Sequence, residues 1–446
     1  MKITKLEIEN FKLFDKAEFN FDSNFNLIIG ENGSGKTSLL RAVAIAMGGW
    51  AHAYIKDSKN RRPIEQNEIR EVQIDNRFDK AKKTSIRASG SARIVDRFQN
   101  DKNAHAKWIR TRIEGQDQTS ISSSIQYQGY SKWYPFYFDT LGEDILEYIE
   151  SGKHFDLPLL AFYECNRLWL AENELNATSS AKTKYSRFDP YVDCFHTGAD
   201  HQAVGEWILK HELASLQQKE DTPVLRSIKR AAIAAIEGCS GLKFDFEQSR
   251  ILIEFDSGKQ IPFEHLSDGQ RTMLGLFCDI ARRAAILNPH LKGETTEKTS
   301  GIVLIDELDL HLHPKWQRAI VNSLTESFPN IQFICTTHSP FLIQSLHKGK
   351  LIELGEPSDA QYQDISLEDI VENIQGVEIP QKSLRYLKMI AAAEDYYKLL
   401  ETEVDGEELE RLKEKLDELM LPFSDDPAFV AQLKLEREFK LSRSES

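Results

Sequence analysis

The stretch FNLIIGENGSGKTSLL (25–40) constrains the fold more than any other. FNLIIG is a nearly continuous apolar run that ends in glycine, as a buried parallel strand does. It leads into the pattern G-x-x-x-x-G-K-[ST] through Gly30, Gly35, Lys36 and Thr37. Glu31, Asn32, Gly33 and Ser34 fill the loop and Ser38 follows it. A helix is expected from Thr37 to about Met47. Strand, glycine-rich loop and helix in that order make a phosphate-binding unit. The glycines let backbone N–H groups wrap phosphate oxygens, Lys36 reaches the β and γ phosphates, and the Thr37 hydroxyl joins the shell of Mg²⁺. A chain organised around such a unit is an α/β protein.

Other segments supply what this unit lacks. GIVLIDE (301–307) is a buried strand that delivers Asp306 and Glu307 to its carboxyl end. Asp306 can hold the metal shell and Glu307 can polarise an attacking water. IQFICTTH (331–338) is a further buried strand, with His338 at its exit. An imidazole there can contact the γ-phosphate or the water. A helix over about 314–327 between these strands completes a β-α-β unit. LPLLAFYECNRLW (157–169) is another buried strand. FEHLSDGQRTMLG (263–275) reads as a strand end, a polar turn and a helix start. Ser267 and Asp268 can cap that helix, and Gly269 lets the backbone approach a ligand. Free N–H groups up to Gln270 add to the pull of the helix dipole on a phosphate. Met273, Phe277 and Ile280 form its core face.

Residues 50–155 are polar with few periodic stretches, so an insertion is expected there. Residues 201–237 look helical. Residues 242–263 alternate, with Ile251, Ile253 and Phe255 on one face, and read as hairpins. Beyond 356 the pattern changes: Leu409, Leu412, Leu416 and Leu419 recur at helical spacing, and DPAFVAQLKLEREF reads as a final short helix. The expected division is an ATPase-like head over 1–355 and a helical interaction region over 356–446. Within the head, 50–235 is an insertion with a helical lobe, and 236–290 holds hairpins and the helix after LSDGQ.

Composition narrows the class. No apolar run approaches the roughly 20 residues a membrane helix needs, and MKITKLEIENF alternates like a strand rather than a signal peptide. A cytoplasmic protein without a membrane partner is expected. The five cysteines are scattered and lack a C-x-x-C pair, so reduced thiols are expected, not disulfides or a zinc site. The net charge of −14 is uneven. Residues 51–115 carry roughly 16 Lys and Arg against 9 Asp and Glu, and 347–446 roughly 13 against 24. The basic stretch is either a solvated surface or one that meets DNA, with Trp108 available to stack on a base.

LSDGQ closely resembles the LSGGQ signature of the ABC-type ATPases, the class of the Rad50, SMC, RecF and OLD proteins. GENGSGKT, LIDELD and TTHSP accompany it in that class's order. The resemblance implies an ABC-type ATPase head with a mixed sheet, binding ATP and Mg²⁺. It implies that Ser267, Asp268, Gly269 and Gln270 read the γ-phosphate held by a second subunit, with Asp309 near that interface. A homodimer or higher oligomer follows. Two departures stand out. Asp268 replaces the first signature glycine, and no Q-loop glutamine follows LLAFYECNR, where Glu164 and Asn166 lie instead.

DELDLHLHPKWQ with FPNIQFICTTHSP is similar to the compact bacterial members related to OLD and RecF. His311 and His313 there favour a structural role over a metal pair. LLAFYECNRLW, YSRFDPYVDCF (185–195) and PFSDDPAFVAQLKLERE resemble the ATPase subunit of Septu-type anti-phage systems and of retron systems. That resemblance implies a separately encoded HNH-type nuclease as partner. A RecF- or Rad50-like DNA-repair ATPase acting directly on DNA is the alternative, although the sequence has neither a long heptad coil nor a C-x-x-C hook.

Overall fold

A computed structural model describes residues 1–54, 62–74, 77–96, 100–116, 118–129, 131–165, 186–192, 194–195, 201–218, 220–355, 366–367, 370–371, 384–400 and 406–420. Asn166, the rest of the CNRLW exit, Tyr185 and Asp193 of YSRFDPYVDCF, and the expected final helix lie outside them. The chain forms two compact units, Met1–Ile370 and Val371–Ser446.

The first unit begins with β1 (Lys2–Phe11), β2 (Phe14–Asn20), β3 (Phe25–Gly30) and α1 (Lys36–Tyr54). The short hairpin β4 (Glu71–Ile74) and β5 (Arg77–Lys80) precedes β6 (Lys83–Val95), β7 (Asp101–Ile113), β8 (Ser120–Tyr127) and β9 (Tyr134–Pro135). Then come α2 (Phe138–Glu150), β10 (Leu159–Tyr163), α3 (His201–Gln218) and α4 (Pro223–Ala235). A three-stranded meander, β11 (Cys239–Asp245), β12 (Arg250–Phe255) and β13 (Gln260–Pro262), leads to α5 (Asp268–Leu287). The unit closes with β14 (Gly301–Ile305), α6 (Pro314–Gln317), α7 (Ile320–Ser327), β15 (Ile331–Thr336), α8 (Pro340–Ser345) and β16 (Lys350–Leu354).

The runs that read as buried strands are buried strands. β10, β14, β15, β3 and β16 lie side by side in that order, all parallel. Every residue of β3, β10, β14 and β15 is buried, as strands covered on both faces require. A second sheet, in the order β2-β1-β6-β7-β8-β9, is antiparallel throughout. Parallel and antiparallel strands thus occupy separate sheets. Helix α1 packs on β6 and β7 of one and on β3, β10, β14 and β15 of the other, so it lies between them. Its burial on every side from Ala42 to Ala51 follows from that position. The same packing extends the helix to Tyr54, past the expected end at Met47.

The expectation of few periodic stretches over 50–155 is wrong. β6 and β7 are each 13 residues long, and β6 pairs directly with β1. Their inward positions hide the period. They are filled by small or polar residues such as Thr84, Ala88, Gly90, Ala92, Ala104, Ala106, Arg110 and Arg112, which carry little hydropathic contrast. Trp108 also lies on this inner face, 1% exposed, donating from Nε1 to the Ala46 carbonyl at 2.9 Å and packing edge-on against Trp50. It cannot stack on a base. Several basic residues of the 51–115 stretch are paired within the chain, in Arg62–Glu68, Arg87–Glu7, Arg93–Asp101 and Lys102–Asp96.

The second unit contains α9 (Leu384–Leu400) and α10 (Gly406–Met420). Met389, Ala392, Ala393, Tyr396 and Leu416 form its small core, with Leu412 and Leu419 packed against it. The leucine stripe of α10 therefore covers the apolar side of α9.

Candidate active site

Strand β15 lies between β14 and β3, so the carboxyl ends of three neighbours meet. The glycine-rich loop leaves β3, the acidic pair leaves β14 and TTHSP leaves β15. Asp306 is 2% exposed, and its N–H donates to the Tyr163 carbonyl of β10 at 2.8 Å. Its Oδ2 accepts from Thr37 Oγ1 at 3.0 Å, and its Oδ1 from Thr336 Oγ1 at 2.6 Å. Lys36 Nζ donates to the Gly30 and Glu31 carbonyls, both at 2.8 Å. Burial pushes the Lys36 ammonium below the usual lysine range, against the opposing fields of Asp306, Glu307 and Asp309. Gly35 has φ +102°, where a side chain would be strained, and a Cβ there would meet the Phe14 ring at 3.0 Å. Glu31, Asn32 and Gly33 are exposed at the loop's tip, while Ser38 continues α1.

Glu307 has a left-handed backbone, φ 50°, unusual for a side chain other than Gly or Asn. Its N–H donates to Thr336 Oγ1 at 2.8 Å. Thr336 thus holds both acids, the carboxylate of Asp306 and the backbone of Glu307. Asp309 accepts from Thr337 Oγ1 and from the His338 N–H, so its carboxylate is engaged at the exit of β15 within its own chain. Burial, then the charge of Lys36, push the His338 imidazole below its ordinary value, with Asp309, Glu307 and Asp306 opposing. At pH 7 the ring is therefore mainly neutral. The structure brings Lys36, Thr37, Asp306, Glu307, Asp309 and His338 into one electrostatic cluster.

The signature residues stand apart from that cluster in their contacts. Ser267 caps α5 in a reciprocal box with Gln270, and Asp268 pairs with Arg271 as the first helical residue rather than as a cap. Ser267 and Asp268 are exposed. Gly269 is buried, and a Cβ there would come within 2.5 Å of the His311 carbonyl and 3.1 Å of Trp316. Its missing side chain is thus filled by the loop after β14 and not held open for a ligand. Gly269→Ala forces backbone apart, and overpacking of this kind costs about 1–3 kcal/mol. Urea unfolding of the variant should show that loss, with Gly293→Ala as the comparison because its Cβ would meet nothing closer than 3.6 Å and its backbone is not left-handed.

Several functional contacts carried no clear signal in the sequence. Gln317 donates to the Leu312 carbonyl at 2.8 Å and accepts from Ser339 at 2.6 Å, tying the loop after β14 to the start of α8. Arg41 of α1 lies 3.8 Å from Glu164, just past the end of β10. Asp279 of α5 is fully buried between Arg282 and Arg283 and accepts from the Tyr163 hydroxyl at 2.8 Å. Burial alone would raise its pKa, but the two guanidiniums outweigh burial and hold the carboxyl well below the usual range. This network joins the signature helix to the last residue of β10, whose carbonyl anchors Asp306. His313 accepts from the Lys315 N–H and caps α6, and His311 adopts φ 62°. No group of three metal-ligating side chains occurs among the described residues.

The residues present fit a nucleotide and a hard cation. Ser34 Oγ is buried with no hydrogen-bond partner among the described residues, inside a loop whose glycines keep side chains away. The Thr37 hydroxyl and Asp306 carboxylate, 3.0 Å apart, form an all-oxygen donor pair suited to Mg²⁺.

The RecF/RecN/SMC N terminal domain model matches residues 2–354. The chain belongs to that family. It is an ATP-binding family. Among named proteins, the Retron Vc95 probable ATPase of Vibrio cholerae serotype O1 biovar El Tor is 25% identical over 384 residues, covering 78% of this chain and 72% of that one. The Retron Ec83 probable ATPase of Escherichia coli is 26% identical, covering 76% and 69%. The Septu protein PtuA of Bacillus thuringiensis is 22% identical and covers 94% of each chain. The RecF/RecN/SMC match ends at Leu354, the last residue of β16. No helix among the described residues is long and apolar enough to cross a membrane.

Proposed function

We propose that the chain is the ATP-hydrolysing subunit of an anti-phage defence complex and controls a separately encoded HNH-type nuclease. The observation that carries the chemistry is the Thr37–Asp306–Thr336 hydrogen-bond chain beside Lys36, Glu307 and His338. The likeness to Septu PtuA over 94% of each chain, and to the retron ATPases over about three quarters of this one, supports the defence setting.

In this reading backbone N–H groups from Gly30 to Ser38 bind the phosphates, and Lys36 leaves its loop carbonyls to meet the β and γ oxygens. Thr37 and Asp306 would hold Mg²⁺, which neutralises phosphate charge when bound. Glu307 accepts a proton from the attacking water and orients it. Neutral His338 offers a ring N–H to the γ-phosphate or hydrogen-bonds the water. Ser267–Gln270 face the γ-phosphate held by a second copy, with Asp309 beside that interface, so nucleotide binding drives a homodimer or higher assembly.

The test is co-expression with the neighbouring genes, pull-down of this chain and mass spectrometry, followed by phage challenge. The expected result is an HNH-type protein in the eluate and protection that disappears in Lys36→Ala. Protection that survives this substitution, or an eluate without a nuclease, overturns the proposal.

A further inference from the structure

A cavity of about 640 Å³ opens between the ends of β6–β9 and helix α2, in the antiparallel half of the first unit. Its floor is apolar: Ile94, Ile125 and Leu141 are each at most 5% exposed. Its walls are aromatic, from Tyr127, Tyr134 and Tyr137. Two carboxylates enter it. Asp96 is already matched, by Lys102 at 2.8 Å and by Asn100. Asp144 is different. It has no ion-pair or hydrogen-bond partner among the described residues, and it is half buried. Burial and the neighbouring charges of Glu147, Glu143 and Asp96 push its carboxyl above the usual range, as a desolvated acid without a cation must respond.

The rim extends this pattern. In the run WYPFY (133–137), Trp133, Tyr134 and Tyr137 are 38, 42 and 73% exposed. Exposed Trp and Tyr around a cavity are the composition of a protein-binding hot spot, where each ring buries large area at low entropic cost. Cations already choose these rings: Lys102 Nζ lies 5.5 Å from the Tyr127 centroid and Lys107 Nζ 4.4 Å from that of Trp133. An apolar floor, tyrosine walls and one unmatched carboxylate together suit a side chain with an aliphatic stem and a cationic head. The volume exceeds one side chain and suits a short peptide segment.

We propose that this cavity is a docking site for an arginine-bearing segment of a partner protein, with the guanidinium held by Asp144 between the tyrosine rings. The site lies outside the nucleotide cluster and does not rest on the ATPase reading. The probe is acetyl-Leu-Arg-Leu-amide, with its citrulline counterpart as the neutral isostere, titrated into the full chain by calorimetry and saturation-transfer NMR. The arginine peptide is expected to bind at least tenfold more tightly than the citrulline peptide. Asp144→Asn should abolish that difference and Tyr137→Ser should weaken the arginine peptide at least fivefold. Both variants should keep the wild-type unfolding midpoint. Equal affinity of the two peptides, no measurable binding of the arginine peptide, or a full preference retained in Asp144→Asn overturns the proposal. A change of oligomeric mass in Tyr137→Ser without a peptide effect overturns it in favour of self-association. Lys36→Ala should bind the peptide like wild type, so failure of the ATPase reading leaves this result readable.

Discussion

Glu307→Gln is expected to bind ATP with wild-type affinity and to turn it over about 10²–10⁴-fold more slowly, the range for loss of a positioned general base. The substitution is nearly isosteric and leaves the backbone N–H bond to Thr336 in place. It removes only the capacity to take a proton from water. The nucleotide then persists in the site, and a species that depends on bound nucleotide should accumulate. Single-turnover phosphate release gives the rate, and sedimentation with ATP gives the mass. Unchanged turnover would rule Glu307 out as the base. A slow rate without the larger species would separate hydrolysis from assembly.

Lys36→Ala is expected to weaken ATP binding at least about 100-fold, since it deletes a charge-assisted contact to phosphate from a buried site. Two carbonyls that now accept from Nζ, those of Gly30 and Glu31, would lose their partner as well. Calorimetry with a non-hydrolysable analogue reads the effect directly. Lys36→Arg is a useful companion, because it keeps the charge on a longer, planar head that does not reproduce the point contact. Wild-type affinity in Lys36→Ala would sink the assignment of the loop.

Four strands of the parallel sheet, β3, β10, β14 and β15, were legible because each is buried on both faces, whereas the partly exposed edge strand β16 was not. FNLIIG, GIVLI and IQFICT announce themselves by continuous apolar character, and the polar residues at their ends mark where a site can form. In the antiparallel sheet β1 was legible from the alternation of MKITKLEIENF, but β6 and β7 were not, since Thr84, Arg110 and Arg112 occupy inward positions where a period of two would need hydrophobes. Those positions are made habitable by partners far away in the chain: Thr84 donates to the Asn10 carbonyl and Arg110 to the Ile45 carbonyl. Trp108 looked like a stacking residue for the same reason, as burial behind α1 leaves no local trace. At the site, residue types revealed Lys36, Asp306 and Glu307. The part played by Thr336 stayed hidden, because a threonine at the end of a buried strand is unremarkable until the neighbouring strand is known to be β14. The break between α6 and α7, where one helix was expected, has a similar cause: His313 and Pro314 start a short turn that Gln317 then secures to Ser339.

The absent Cβ of Gly269 has a consequence for association. The signature turn rests on the His311 carbonyl and Trp316, and Gln317 fastens that same segment to α8. These segments are set in place when the chain folds. In the proposed assembly a second copy would therefore meet a preassembled edge, with little backbone freedom left to freeze on contact. Encounter would then be governed by whether nucleotide is present to bridge the two surfaces, and a lesion anywhere along the His311–Gln317 segment would act at a distance on recognition by displacing the turn it supports.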